Sequence, residues 1–316
     1  MSVAYLYPGQ GAQTVGMGRD LYQALPAAKR IFDQAEAATH LPLKKLCFEG
    51  PEEELARTDI VQPAIFTVSA AVLAAMGDLA GGERMEALRP AFAAGLSLGE
   101  YTALYAAGAM DFATGVKLVA KRGQFMQAAA RAVPSTMVSI LGIDEAKAAE
   151  LCRAAAGGEI LTCANFNCPG QIVLSGQVGA CARAAGLAKQ FGAIGAVPLK
   201  VAGAFHSEIM APAVEALAAV LDEVIFQRPK VTVIANVDGA AYTGKEQIRD
   251  KLLAQLVRPV RWQQTMEHIL AHGADEFYEI GPGRVLAGLA RRIDREARVT
   301  CVSSMEAVEK LARKRP

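Results

Sequence analysis

The chain of 316 residues is 52% hydrophobic and 21% charged, enough apolar material for one large domain or a domain carrying an insertion. Its formal net charge of +1 leaves no basic surplus to drive phosphate binding, which argues against a nucleic-acid partner. No charged and then apolar leader opens the chain and no apolar run reaches about 18 residues, so a cytoplasmic protein with no membrane partner is expected.

Val3–Tyr7 is a short apolar run that stops at Pro8, which reads as a buried strand entering the loop Gly9-Gln10-Gly11-Ala12-Gln13. Apolar residues then recur at helical spacing from Arg19 to Ala38. Pro26 divides that stretch into a short and a longer helix, because proline breaks a helix interior. Val61–Met76 is a further helix, with Pro63 placed in its first turn. Ala91–Ala94 is a strand that runs directly into Gly95-Leu96-Ser97-Leu98-Gly99-Glu100. Helices are predicted over Tyr101–Ala107 and Phe112–Arg131. Strands alternating with helices imply a parallel sheet covered on both faces.

The pattern then changes. Met137–Leu141 reads as a strand and Asp144–Ala155 as a helix. Ile160–Asn165 and Gln171–Ser175 are strands around the turn Asn167-Cys168-Pro169-Gly170. Val178–Phe191 is helical and Ala196–Leu199 is a strand. This β-α-β-β-α-β order is a ferredoxin-like split unit. The chain therefore reads as α/β, with a large α/β-hydrolase-like subdomain of residues 1–131 and 202–316 built on a parallel sheet. Residues 132–201 form an inserted, ferredoxin-like small subdomain. Beyond it, Glu208–Val224 is helical and Val231–Ala235 is a strand closed by Asn236-Val237-Asp238-Gly239. Helices over Ile248–Leu256 and Trp262–His272 precede a strand at Phe277–Ile280, and a last helix starts at Val285. The basic run Lys310–Pro316 reads as a solvated end.

Gly95-Leu96-Ser97-Leu98-Gly99 has the G-x-S-x-G form between a strand and a helix, the context of a nucleophile elbow. A helix start capped by Ser97 between two flexible glycines is the plainer reading. A serine nucleophile needs a base, and the chain has four histidines. His40 ends a helix. His268 and His272 lie four apart on one helix without a third metal ligand nearby. His206 sits in an irregular small-residue loop at the seam of the insertion, which suits a general base. No acid between Ser97 and His206 stands at a strand end facing a site, so a hydrolase triad is disfavoured and a backbone carbonyl or amide could orient the histidine. Arg122 is either surface decoration or, with Val119, Gly123 and Met126 making an apolar face, a seat for a substrate carboxylate. The six cysteines (Cys47, Cys152, Cys163, Cys168, Cys181, Cys301) form no C-x-x-C pair and read as small buried hydrophobes in a reducing compartment.

These segments fall in one order: Gly9–Gln13, Gly95–Glu100, Arg122-Gly123 with Met126-Gln127, Ala164–Asn167 with Pro169–Gln171, and Phe205-His206-Ser207. Asn236-Val237-Asp238, Gln255-Leu256 with Pro259–Trp262, and Glu279–Gly283 continue it. Across nearly its whole length the chain resembles the malonyl-CoA:acyl carrier protein transacylases, acyltransferases of fatty-acid and polyketide synthesis.

The resemblance implies that Ser97 takes a malonyl group from coenzyme A as an ester and that His206 is its base, oriented by the backbone carbonyl of Gln255. It implies an oxyanion hole from the N–H groups of Leu98 and Gln10, and a malonate carboxylate held by Arg122. Asn165 and Asn167 would line the cleft on the small-subdomain side. Phe205 looks like the malonyl-selective members. Many members carry histidine before the nucleophile where this chain has Leu96, which leaves fatty-acid and polyketide pathways both open. The implied partners are malonyl-CoA and acyl carrier protein. No metal or cofactor is called for, and a monomer is expected. A free-standing acyltransferase of a polyketide pathway and a serine thioesterase or acyl hydrolase are the alternatives.

Overall fold

The computed structural model describes residues 2–313, and the side chains of all of these but residues 81–85. Two sheets organise it. The first has five parallel strands in the order β7-β2-β1-β8-β9, with β1 at Val3–Tyr7, β2 at Phe92–Gly95, β7 at Thr232–Val233, β8 at Glu276–Ile280 and β9 at Val299–Val302. β1 is buried at every residue because it lies inside the sheet with layers on both faces.

The second sheet has four antiparallel strands in the order β4-β5-β3-β6: Leu161–Cys168, Gln171–Gln177, Ser135–Leu141 and Gly195–Pro198. Helices α8 (Glu145–Ala156) and α9 (Val178–Leu187) pack on it. The Asp144 side chain caps α8 by accepting from Lys147 N–H at 2.8 Å. This strand order is that of the ferredoxin-like unit the sequence predicts. β4 is also bridged by Val260, which belongs to none of the named strands. Val260 N–H donates to the Ala164 carbonyl and Phe166 N–H donates to the Val260 carbonyl, at 2.8 and 2.9 Å.

α1 (Arg19–Ala24) and α2 (Pro26–Thr39) divide at Pro26 as predicted, with Pro26 in the first turn of the second helix. Two short helices, α3 (Leu43–Glu49) and α4 (Glu52–Leu55), were not legible in the periodicity. α5 is longer than expected, Thr58–Ala87, so Pro63 lies inside it rather than in its first turn. Its segment Thr58–Ala80 is long and apolar enough to cross a membrane although scattered polar residues hide this in the sequence, and most of that segment is buried. It is covered by α2, by α7 (Phe112–Ala132) and by α14 (Met305–Arg313).

The C-terminus corrects another expectation. Lys310 and Arg313 belong to α14, whose Val308 and Leu311 are buried on the core, so this end is not a solvated tail. Residues 314–316 lie outside the described residues. The strand expected over Val231–Ala235 pairs in register with β2 at only two residues, and Ile234 also bridges Ala241. The helix expected over Glu208–Val224 begins with a tight turn and becomes α10 at Ala211–Asp222, where Pro212 sits in the first turn.

α5 and α7 approach closely at one point. A Cβ on Gly123 would lie 2.5 Å from the Thr58 carbonyl oxygen. Gly123→Ala is expected to cost about 2 kcal/mol, since an added methyl must push two helix backbones apart. Urea denaturation would register this as a lower midpoint at unchanged slope.

Candidate active site

Three backbone segments collide where β2 ends. A Cβ on Gly95 would lie 1.9 Å from the Gly99 carbonyl carbon. One on Gly99 would lie 2.0 Å from the Tyr7 carbonyl oxygen at the end of β1. One on Gly9 would lie 2.3 Å from the Leu96 carbonyl oxygen. Only glycine fits these positions, and the compression forces Ser97 to φ 53° and ψ −102°. Such a conformation costs about 1–3 kcal/mol and persists only where the surroundings hold it. Here Ser97 N–H donates to Asn236 Oδ1 at 2.6 Å and Gln255 Nε2 donates to the Ser97 carbonyl at 3.0 Å. α6 (Leu98–Ala106) starts on the next residue, so Leu98 presents a first-turn N–H with no acceptor in its own helix.

His206 also has positive φ, 58°, in a loop of small residues. Ser175 on β5 donates to the Phe205 carbonyl at 2.6 Å, so the small sheet holds this loop in place. His206 Nδ1 lies 2.6 Å from the Gln255 carbonyl oxygen and Nε2 lies 2.9 Å from Ser97 Oγ. A carbonyl can only accept, so Nδ1 carries the proton and Nε2 is free to take one from the serine. Burial, and then the charge of Arg122, push the His206 pKa down to about 4, with the Gln255 contact opposing. The imidazole is therefore neutral near pH 7, as a base must be.

Arg122 lies in α7 and is 1% exposed. Its Nη1 donates to Gln62 Oε1 at 2.7 Å, and Nη2 donates to Gln255 Oε1 at 2.8 Å and to Ser97 Oγ at 3.1 Å. Its carbon stands 5.1 Å over the Tyr101 ring. Nε has no hydrogen-bond partner among the described residues, and none of their carboxylates forms an ion pair with this guanidinium. Nε and Nη2 share one edge of the fork, the edge that reaches Ser97. A buried cation held by neutral amides beside a serine hydroxyl can pair with an anionic group.

The acid absent from the triad lies below it. Glu100 is completely buried. It accepts from Gln255 Nε2 at 2.6 Å, Tyr242 Oη at 2.5 Å and Asn236 N–H at 3.2 Å. It orients the groups that hold Ser97 and does not contact His206.

A cavity of about 200 Å³ opens over Ser97. Gln10, Leu96, Leu98 and Phe205 line it together with Ser97, His206 and Arg122. Asn165 and Asn167 reach it from β4, and the Asn167 Oδ1 has no partner among the described residues. All ten residues singled out from the sequence thus meet around one cleft or, for Gln255, directly behind it. Gln62, Glu100, Asn236 and Tyr242 were not assigned to it. The G-x-S-x-G-E and Asn236-Val237-Asp238 segments contained two of them, but nothing in the spacing shows that a buried acid ties them together. His40 caps the end of α2. His268 and His272 stack at 4.2 Å, and no metal-binding group of His, Cys, Asp or Glu occurs among the described residues.

Comparison with known proteins gives one answer. Residues 4–314 match the family model described as acyl transferase domain. A Bacillus subtilis protein named malonyl CoA-acyl carrier protein transacylase is 44% identical over 308 residues, spanning 97% of this chain and 95% of that protein. The solved transacylase of the same name from Coxiella burnetii superposes with a TM-score of 0.93 at 39% identity, covering 98% of this chain and 96% of that one. A solved complex of a type II polyketide-synthase acyl-carrier protein with its malonyl-transacylase matches at a TM-score of 0.92, 38% identity and 99% of both chains.

The depressed pKa of His206 sets the pH dependence of Ser97 reactivity. Labelling of Ser97 by a fluorophosphonate probe should stay level from pH 7.5 to about 5 and fall only as pH drops through about 4, where His206 gains a proton. An ordinary histidine would halve the rate near pH 6.5. His206→Ala should slow labelling by roughly 10²–10⁴-fold.

Proposed function

The chain belongs to the acyl transferase domain family, and from that premise we propose that its Ser97 carries a malonyl group from malonyl-CoA to the phosphopantetheine thiol of acyl carrier protein. The observation that carries this reading is the pairing of Ser97 Oγ with His206 on one side and the unpaired, buried Arg122 on the other. The first makes a nucleophile. The second selects an acyl group that ends in a carboxylate.

The reaction has two halves. Ser97 Oγ gives its proton to His206 Nε2 and attacks the thioester carbonyl carbon. The oxyanion that forms is received by the N–H groups of Leu98 and Gln10, at the start of α6 and in the loop after β1. The carbon–sulfur bond breaks, and His206 returns the proton to the departing coenzyme A thiolate. The carrier thiol then repeats these steps in reverse on the Ser97 ester. The Gln255 carbonyl takes the place of a triad acid, holding Nδ1–H and so the tautomer. Phe205 and Leu96 restrict the space around the acyl α-carbon, and Asn165 and Asn167 offer amides to the pantetheine arm.

Fatty-acid synthesis is the pathway this reading takes. The complex with a type II polyketide acyl-carrier protein favours service to a polyketide carrier as the second reading. A thioesterase is disfavoured by the missing triad acid and the buried Arg122. The same proposal includes action as a monomer in the cytoplasm, where the six free thiols of the described residues suit a reducing compartment, with no resident metal or cofactor. It divides the chain into residues 1–131 with 202–316, and 132–201, each built on its own sheet.

Brief mixing with malonyl-CoA should add one malonyl mass to the wild type and none to Ser97→Ala, and acyl carrier protein should discharge it. An ester that water removes as fast as it forms overturns transfer in favour of hydrolysis. Arg122→Ala should lower kcat/KM for malonyl-CoA by roughly 10²-fold while acetyl-CoA changes far less, since a charged hydrogen bond contributes about 1.5–3 kcal/mol.

A further inference from the structure

Glu100 and Arg122 are the two buried charges of the site, and one amide separates them. Gln255 Nε2 donates to Glu100 Oε2 at 2.6 Å, and Gln255 Oε1 accepts from Arg122 Nη2 at 2.8 Å. Glu100 is 0% exposed and Arg122 is 1% exposed. The acid balances the cation through the amide. A substrate carboxylate on Arg122 would bring a second anion into the same low-dielectric volume, and two anions against one cation is unfavourable there. We propose that Glu100 takes up a proton from solvent when a substrate carboxylate binds Arg122, so that the net charge of the buried site is unchanged. This rests on the reading of Arg122 as the carboxylate seat.

The surroundings of Glu100 leave it as the group to titrate. Tyr242 from the loop after β7, Gln255 of α11 (Ile248–Val257), the Asn236 N–H, and Tyr101 and Arg122 from α6 and α7 are the polar and charged groups that act on it. Among these only Arg122 is a permanent cation. Burial raises the Glu100 pKa to about 7, and its three hydrogen bonds and Arg122 oppose the rise. A further anion nearby raises it more. The proton fits the existing contacts. Oε1, which accepts from Tyr242 Oη, can donate to it instead once the phenol turns its own hydrogen toward the adjoining cleft, and Oε2 still accepts from Gln255 and Asn236. Tyr242 also lines a second cleft of about 300 Å³ with Arg89, Arg228 and Lys230, which brings solvent within one residue of the acid.

The test is titration calorimetry of the full chain carrying Ser97→Ala, in buffers of different ionisation enthalpy. Malonyl-CoA binding at pH 8 should take up roughly half a proton or more per site, and at pH 5.5 near zero, because Glu100 already holds the proton there. Acetyl-CoA has the same coenzyme without the carboxylate and should take up none. Adding Glu100→Gln, a neutral isostere of the protonated acid, should abolish the uptake at pH 8. Uptake that persists in Glu100→Gln would place the proton on another group, His206 first, and overturn the assignment. Equal uptake for malonyl-CoA and acetyl-CoA would overturn it too, and this comparison needs no change at Glu100. Adding Arg122→Ala separates the two readings. If it leaves malonyl-CoA affinity unchanged, the carboxylate seat itself fails. If it weakens malonyl-CoA at least tenfold while the Arg122 protein shows no uptake, only the role of Glu100 fails.

Discussion

The close passage of three backbone segments at the ends of β1 and β2 is the constraint on which the site depends. Gly95, Gly99 and Gly9 have no side chains, so the turn after β2 can press against Tyr7 and the loop at Gln10 can press against Leu96. That compression does several things together. It pins Ser97 at positive φ, starts α6 one residue later and brings the Gln10 loop beside the serine. A methyl group at any of these glycines would separate the segments that must converge. The strain at Ser97 is balanced by Asn236 and Gln255, which grip its N–H and its carbonyl.

A second layer of the design is polar and lies under the first. Gln255 is used three ways: its backbone carbonyl orients His206, its Nε2 reaches Glu100 and the Ser97 carbonyl, and its Oε1 holds Arg122. Glu100 in turn anchors Gln255 and Asn236, so an acid on α6 organises a site whose histidine it never touches. A serine–histidine pair is thus oriented here without a triad acid. The tautomer needs only an acceptor at Nδ1, and a carbonyl supplies one without adding an anion. An extra carboxylate on His206 would raise its pKa and could pair with Arg122.

Much of this was legible along the chain. The apolar runs placed most elements to within a few residues, because strands buried on both faces and helices with one buried stripe leave strong patterns. The glycines around Ser97 and the small residues around His206 pointed to the pair that the fold brings to 2.9 Å. What failed was where pattern and structure part. In the helix Thr58–Ala87 the polar residues Gln62 and Thr67 are buried, one against Met126 of α7 and the other on the Pro63 carbonyl, so no polar face marks its first half. The stretch Val231–Ala235 has the composition of a full strand, yet only Thr232 and Val233 pair in register with β2, and Ile234 also bridges Ala241. Lys310 and Arg313 carry charge on the outer face of an amphipathic helix whose inner face closes the core.

Sequence alone determined the inventory: a serine between glycines, a histidine in a small-residue loop, an arginine on an apolar helix face and the order of strands and helices. These follow from local sterics and periodicity, which act over a few residues. The tertiary structure alone decided who meets whom. Ser97 and His206 are 109 residues apart, Arg122 and Gln255 are 133 apart, and Asn236 reaches Gly95 across 141. Only the folded sheets bring them within a hydrogen bond. The charge states follow from the same closure: His206 is neutral and Glu100 is poised near neutral pH because burial removes the water that would otherwise set their energies.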